Sequence, residues 1–200
     1  MAFIDYQART IEAKVVYFGP EGSGKTSHLA YLFERAGTPD AKRILLASDP
    51  GAKTYDYLPV NLGSIRGFST KFHLYTVPGG ADSFAARGAL LERVDGIVFV
   101  ADAAAPREVN LASWQELKHL LSHYGFALEA MPRVVALNKS DLAERSSWSA
   151  SRDATFFDAF GVSRLSLYDS VATTGAGVFD ALRDLAKQIL LELRQAAPPP

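Results

Sequence analysis

Residues Lys14 to Thr26, KVVYFGPEGSGKT, decide how this chain reads. Val15, Val16, Tyr17 and Phe18 form an apolar run of the kind that fills a buried strand. Gly19-Pro-Glu-Gly-Ser-Gly24-Lys25-Thr26 then spells G-x-x-x-x-G-K-[ST], and Ser27 to Glu34 follows with Leu29, Leu32 and Phe33 at helical spacing. A strand running into the loop and a helix leaving it are the setting in which that spelling carries chemistry. Gly22 and Gly24 allow the backbone to turn tightly, so that N–H groups from Glu21 to Thr26 point inward. The helix N-terminus adds its partial positive charge to whatever anion sits there. In such a loop Lys25 reaches the β- and γ-phosphates, and the Thr26 hydroxyl is placed to ligate Mg²⁺. The stretch therefore predicts a nucleotide site built on Gly19, Glu21, Gly22, Ser23, Gly24, Lys25, Thr26 and Ser27, with Lys25 and Thr26 carrying the chemistry.

Working outward, 200 residues with 48% hydrophobic content suit one well-buried domain, assigned to residues 1–195 with a short Pro-rich tail at 196–200. A formal net charge of −1 with 22% charged residues argues against a protein that binds nucleic acid through its phosphates. The absence of cysteine removes disulfides, thiolate metal sites and thiol catalysis together, which is compatible with a cytoplasmic setting. The opening MAFIDYQART has neither the apolar run of a secretory signal nor a membrane span. Ala2 is not an acceptor for myristate and the Pro-Pro-Pro end offers no cysteine for prenylation, so no direct membrane anchor is expected.

The rest of the chain alternates strand and helix signals. Lys42 to Ala47 reads as a short strand, followed by a turn-rich polar loop from Ser48 to Tyr57. Val60 to Ile65 and Thr70 to Val77 read as a hairpin, in which Phe72, Leu74 and Thr76 alternate with His73, Tyr75 and Val77. His73 lies within that alternation and reads as a structural histidine. Phe84 to Arg93 is helical, and Gly96 to Asp102 is apolar enough to be buried on both faces. Leu111, Trp114, Leu117, Leu120, Leu121 and Tyr124 recur every three or four residues, marking an amphipathic helix whose aromatic residues belong to the core. Further strands are expected at Arg133 to Leu137 and Leu165 to Leu167, with helices at Ala150 to Phe160 and Val178 to Leu193. This alternation implies an α/β fold, a mostly parallel sheet with helices on both faces. Ligands of such sheets bind at the carboxyl ends of the strands. The loop after Phe18, the turn after Val77 and the segment after Leu137 all fall there.

That last segment is Asn138-Lys139-Ser140-Asp141, an N-K-x-D sequence. A carboxylate such as Asp141 can accept from the ring N–H and the exocyclic amine of guanine, whereas adenine presents no matching pair of donors. The Lys139 stem can pack along the base, and Asn138 can tie this loop to the phosphate loop. Ser170 to Gly175 supplies a second base-contacting loop, carried mainly by Val171 and Ala172.

Together these stretches resemble the MglA-type small Ras-like GTPases of bacterial cell polarity and gliding motility. The resemblance is carried by KVVYFGP, DYLP, IRGFSTKFHLYTVPG, VDGIVFVAD, NKSD and VATTGAGVF, and FHLYTVPG is its distinctive run, with Thr76 where most small G proteins have Asp. It implies a P-loop fold and a GTP/GDP switch using Mg²⁺. It also implies a Roadblock-type (MglB-like) regulatory or effector partner. Ser48 to Tyr57 corresponds to switch I and Gly79 to Arg93 to switch II, with Gly79 close to the phosphates and Asp56 a support for the metal beside Thr26. Three residues depart from the family. Gly80 stands where a glutamine orients the attacking water, Lys53 is the cation offered where switch I carries an arginine, and Glu21 replaces a glycine of the phosphate loop. Gly80 has no side chain to orient water, and a lysine is a point charge that does not reproduce a bidentate guanidinium. Ala81, Asp82 and Ser83 also replace the aromatic residues expected at the start of switch II, which implies an altered partner surface. The expectation is a GTP-binding switch with slow hydrolysis, the alternative being a non-hydrolysing, nucleotide-bound scaffold. A P-loop kinase is disfavoured by N-K-x-D and by the lack of an Arg-rich lid.

Overall fold

Strand β2 (Thr10–Phe18) is the axis of the sheet, pairing in parallel with β5 (Phe68–Thr76) on one side and β6 (Gly96–Asp102) on the other. The computed structural model describes residues 2–36, 44–46, 55–65, 67–77, 84–145, 158, 160–161 and 166–196. Beyond β6 lie β7 (Arg133–Asn138) and β8 (Leu167–Ser170), both parallel. Beyond β5 lie β4 (Tyr55–Ile65) and β3 (Ile44–Leu46), both antiparallel, giving the order β3-β4-β5-β2-β6-β7-β8. A short β1 (Phe3–Asp5) pairs antiparallel with the start of β2.

Strict alternation along the central strands feeds two cores. Val15 and Tyr17, Val98 and Val100, and Val134 and Ala136 face one of them, under α1 (Lys25–Ala36) and α4 (Val178–Ala196). Val16 and Phe18, Ile97 and Phe99, and Val135 and Leu137 face the other, with α3 (Arg107–His123) and the last turn of α2 (Phe84–Leu91). A strand buried on both sides has no room for a polar face, which is why these runs read as continuous apolar stretches. In α4, Val178, Ala181, Leu182, Leu185, Ala186 and Ile189 repeat at intervals of three and four and are all buried. In α3, Trp114 packs edge-on against Phe99 and Phe160, with ring centroids 4.9 and 4.8 Å away. Trp114 is therefore a core residue, and Tyr124 lies just past the helix, closing its C-terminus. The start of α3 is tied to the end of β6 by buried Asn110, whose side chain accepts from Asp102 N (2.8 Å) and donates to Asp102 O (3.0 Å).

Several boundaries differ from expectation for physical reasons. Strand β2 begins at Thr10, because Thr10 to Lys14 is a half-buried, period-2 segment upstream of the doubly buried run. The hairpin is longer than its apolar pattern, spanning Tyr55–Ile65 and Phe68–Thr76, so Tyr55, Asp56 and Tyr57 are strand and not loop. Its ladder absorbs the polar residues through pairing with β5, including a register shift between Asn61 and Ser64. The last strand is Leu167–Ser170, displaced toward the polar Asp169 and Ser170, because parallel pairing with β7 sets its position. Most of the helix expected at Ala150 to Phe160 lies outside the described residues. His73 occupies β5 as a structural residue, its Nδ1 2.7 Å from the Tyr57 hydroxyl and its Nε2 3.3 Å from Glu12.

Gly96 opens β6 directly beneath α4, where an added Cβ would lie 2.8 Å from Ile189 Cδ1 and 3.0 Å from Leu185 Cδ1. Gly96→Val is therefore expected to lower the free energy of unfolding by about 1–3 kcal/mol, the usual cost of overpacking, although valine suits a strand. Urea unfolding should show a lower midpoint with an unchanged slope.

Candidate functional site

The parallel strands deliver their carboxyl ends to one edge of the sheet. Phe18, Asp102, Asn138 and Ser170 end β2, β6, β7 and β8 there. Thr76 ends β5 at the same edge, and because β4 is antiparallel its beginning arrives there too. The pairing of Tyr57 with Tyr75 sets Asp56 opposite Thr76.

At the phosphate loop, the Lys25 ammonium is buried and donates to the carbonyls of Gly19 (2.8 Å) and Pro20 (2.7 Å), so it lies across the mouth of the loop. Burial, with the nearby positive charge of Arg87 adding to it and Glu21 opposing, brings the Lys25 pKa down to about 8. Ser23 is buried, and its hydroxyl has no hydrogen-bond partner among the described residues. Glu21, Gly22, Thr26 and Ser27 are exposed at the rim. Sequence reasoning missed His28, the buried residue one turn into α1. Its Nδ1–H donates to the Gly24 carbonyl at 2.9 Å, and burial lowers its pKa and keeps it neutral.

Beside the loop, three oxygens converge. The Thr26 hydroxyl donates to Asp56 Oδ2 at 2.6 Å, the Thr76 hydroxyl donates to the same oxygen at 3.2 Å, and Asp56 N donates to Thr76 Oγ1 at 2.9 Å. Asp56 is only 5% exposed, so its carboxylate is held in this cluster by the strand itself. Asp56 thus lies in strand β4, where the sequence pattern places it in the loop Ser48 to Tyr57. Thr76 was noted for departing from the usual Asp, but its partnership with Asp56 was not foreseen. No local signal marks the pair, because the stretch around Asp56 reads as a polar loop and only the pairing of β4 with β5 sets it opposite Thr76.

Asn138 binds three loops together. Its Nδ2 donates to Ser23 O at 2.7 Å and its Oδ1 accepts from Ala172 N at 3.0 Å. Gly24 makes the approach possible: with φ of 97°, a Cβ there would collide with the Asn138 amide. Lys139 takes a left-handed φ of 61° and its ammonium pairs with buried Asp102 at 2.6 Å, fixing the aliphatic stem. Ser140 Oγ donates to Ser170 O at 3.1 Å, and Asp141 is exposed in the 3₁₀ turn Ser140–Arg145 that follows. Val171 is half-buried and Ala172 buried, on the turn after β8. The structure thus brings together the phosphate loop, Asp56, Asn138 to Asp141 and Val171-Ala172. Gly79, Gly80 and Lys53 lie outside the described residues. The Asp56 carboxylate and the Thr26 hydroxyl are hard oxygen donors of the kind Mg²⁺ accepts.

Comparison with known proteins gives the chain's family. Residues 44–189 match the ADP-ribosylation factor family. The chain is 39% identical over 198 residues to the mutual gliding-motility protein MglA of Myxococcus xanthus strain DK1622, covering 98% of this chain and 99% of that one. It is 33% identical over 161 residues to the GTPase Obg of Moorella thermoacetica, covering 73% of this chain and 37% of that protein. The chain therefore belongs to the ADP-ribosylation factor family as an MglA-type small GTPase.

Proposed function

We propose that this protein is a GTP-binding switch with slow intrinsic hydrolysis, and the observation that carries the reading is the Thr26–Asp56–Thr76 cluster beside Lys25. The Lys25 ammonium and the amides of Gly22 to Thr26 bind the phosphates, Thr26 and Asp56 present hard oxygens to Mg²⁺, and Asp141 selects guanine. Mg²⁺, when bound, neutralises charge on the phosphate oxygens. Asn138 keeps the base loop in register with the phosphate loop, which makes recognition of the two ends of the nucleotide interdependent. Hydrolysis is slow because Gly80 cannot orient water and Lys53 is a poor substitute for an arginine. Exposed Glu21 adds a carboxylate at the rim. We place the switch in bacterial cell polarity or motility, on the strength of the relative named for gliding motility, with a Roadblock/MglB-like regulatory protein or other effector as its partner. A cytoplasmic location fits this role.

The reading is tested by titrating GDP and Mg²⁺ into the wild type and Asp56→Ala. Wild type should bind GDP, and the variant should need about 10–100-fold more Mg²⁺ for the same occupancy. No GDP binding by the wild type would overturn the proposal. Single-turnover assays should give a GTP hydrolysis rate on the order of 10⁻³ s⁻¹ or slower, raised by Gly80→Gln. A wild-type rate of several per second would contradict the slow-hydrolysis reading.

Lys25 gives the site a pH signature. Its ammonium is fully charged below about pH 8 and is lost as pH rises through that value. The phosphate complex holds the proton more tightly, so binding above that pH must take up a proton and weakens by up to about tenfold per pH unit. An ordinary lysine would behave so only above about pH 10. GDP titrations from pH 7 to about pH 9 should show the loss in wild type and not in Lys25→Arg, whose guanidinium stays charged.

A further inference from the structure

The turn after β8 is closed on itself. Val171 N donates to Ala176 O (3.0 Å), while Thr174 N and Gly175 N both donate to Val171 O (3.1 and 2.8 Å). One side of this turn is anchored by Asn138 at Ala172 N and by Ser140 at Ser170 O. Its other side rests on Tyr31, a residue of α1 that none of the sequence motifs includes. Gly175 has φ of 85°, and a Cβ built on it would run into Tyr31 Cζ, Oη and Cε1, so the hydroxyl end of the ring and the backbone are in direct contact. The ring is held from two further directions. Phe179 meets it edge-on at 6.0 Å and 69°, and the Arg35 guanidinium lies 5.7 Å from its centroid.

We propose that Tyr31 is the positioning residue for the guanine-contacting turn, and so sets base selectivity from the helix that begins with the phosphate-binding Lys25 and Thr26. The inference rests on the guanine-nucleotide reading above. A backbone segment that carries no Cβ at its contact point has no side chain to absorb a gap, so the ring acts as a rigid seat. Removing the ring leaves the turn anchored through Asn138 and Ser140 on one side. Without that support the turn can tilt by fractions of an ångström about its Asn138 anchor, which is enough to weaken its hydrogen bonds and close contacts to the edge of guanine that adenine does not share. Phosphate contacts, made from the other end of α1, are unaffected. Tyr31 therefore affects the guanine end of the ligand and spares the diphosphate end.

The test compares dissociation constants for GDP and ADP, measured by competition against a fluorescent GDP, in wild type, Tyr31→Phe, Tyr31→Ala and Gly175→Ala. Tyr31→Phe loses Oη but keeps the ring carbons Cζ and Cε1 that face Gly175, and should retain the wild-type ratio of ADP to GDP constants within about twofold. Tyr31→Ala should weaken GDP roughly tenfold and ADP less than twofold, so that selectivity falls. Gly175→Ala, which drives a methyl into the ring from the other side, should lower the same ratio. Equal weakening of both nucleotides in Tyr31→Ala, or an unchanged ratio, overturns the proposal. Should Tyr31→Ala fail to fold, Tyr31→Leu fills the volume without the flat face and must still lower the ratio. A wild type that does not prefer GDP over ADP would instead sink the underlying nucleotide reading.

Discussion

A carboxylate shut away from water must be given donors, and the buried charge of Asp56 imposes that demand on this structure. Left bare, such a charge costs about 5 kcal/mol, a large share of a domain's net stability of about 5–15 kcal/mol. Three elements meet it. Strand β4 runs antiparallel to β5 and so brings Asp56 opposite Thr76, while β5 runs parallel to β2 and so brings Thr76 to the end where the phosphate loop begins. The first turn of α1 then completes the cluster with Thr26. Sheet topology, hairpin register and helix start are therefore linked at one oxygen atom, and a slip in any of them would strand the charge.

Asn138 plays the corresponding part on the other side of the site, with neutral groups. An amide can donate and accept at once, so one side chain ties the Ser23 carbonyl to the Ala172 amide across the end of β7. The Lys139–Asp102 pair works beside it. Asp102 is buried at the end of β6, and its partner Lys139 directly follows Asn138. The loop after β2, the segment after β7 and the turn after β8 thus share one hydrogen-bonded framework anchored at strand ends.

Much of this was legible in the chain. The doubly buried strands announced themselves because Val15 to Phe18 and Gly96 to Asp102 leave no polar face, and the phosphate loop because its glycines sit between strand and helix. Asn138 was assigned its tie between loops from chemistry alone, and the hydrogen bonds to Ser23 and Ala172 agree. What escaped was non-local. Asp56 was read as part of a loop because DPGAKTYDY is polar and turn-rich, and only pairing with β5 makes its end a strand. The contact of Tyr31 with Gly175 joins residues far apart in sequence, and nothing in either segment marks the other. His28 looked like one more polar residue on a helix, whereas it lies wholly buried against the loop carbonyl of Gly24.

The paired placement of Asp56 and Thr76 has a consequence for how such a site can change over generations. Most small G proteins keep the carboxylate at the position of Thr76, one strand over. Passing between the two arrangements by single steps means visiting a chain with two acidic groups on facing residues of neighbouring strands, or a chain with none. The first forces like charges together in a dry setting, where one must take up a proton, and the second leaves the threonine hydroxyls without an anion. Both steps carry a cost, so in this chain the residues at 56 and 76 are coupled: an acid introduced at position 76 is expected to call for a compensating change at position 56.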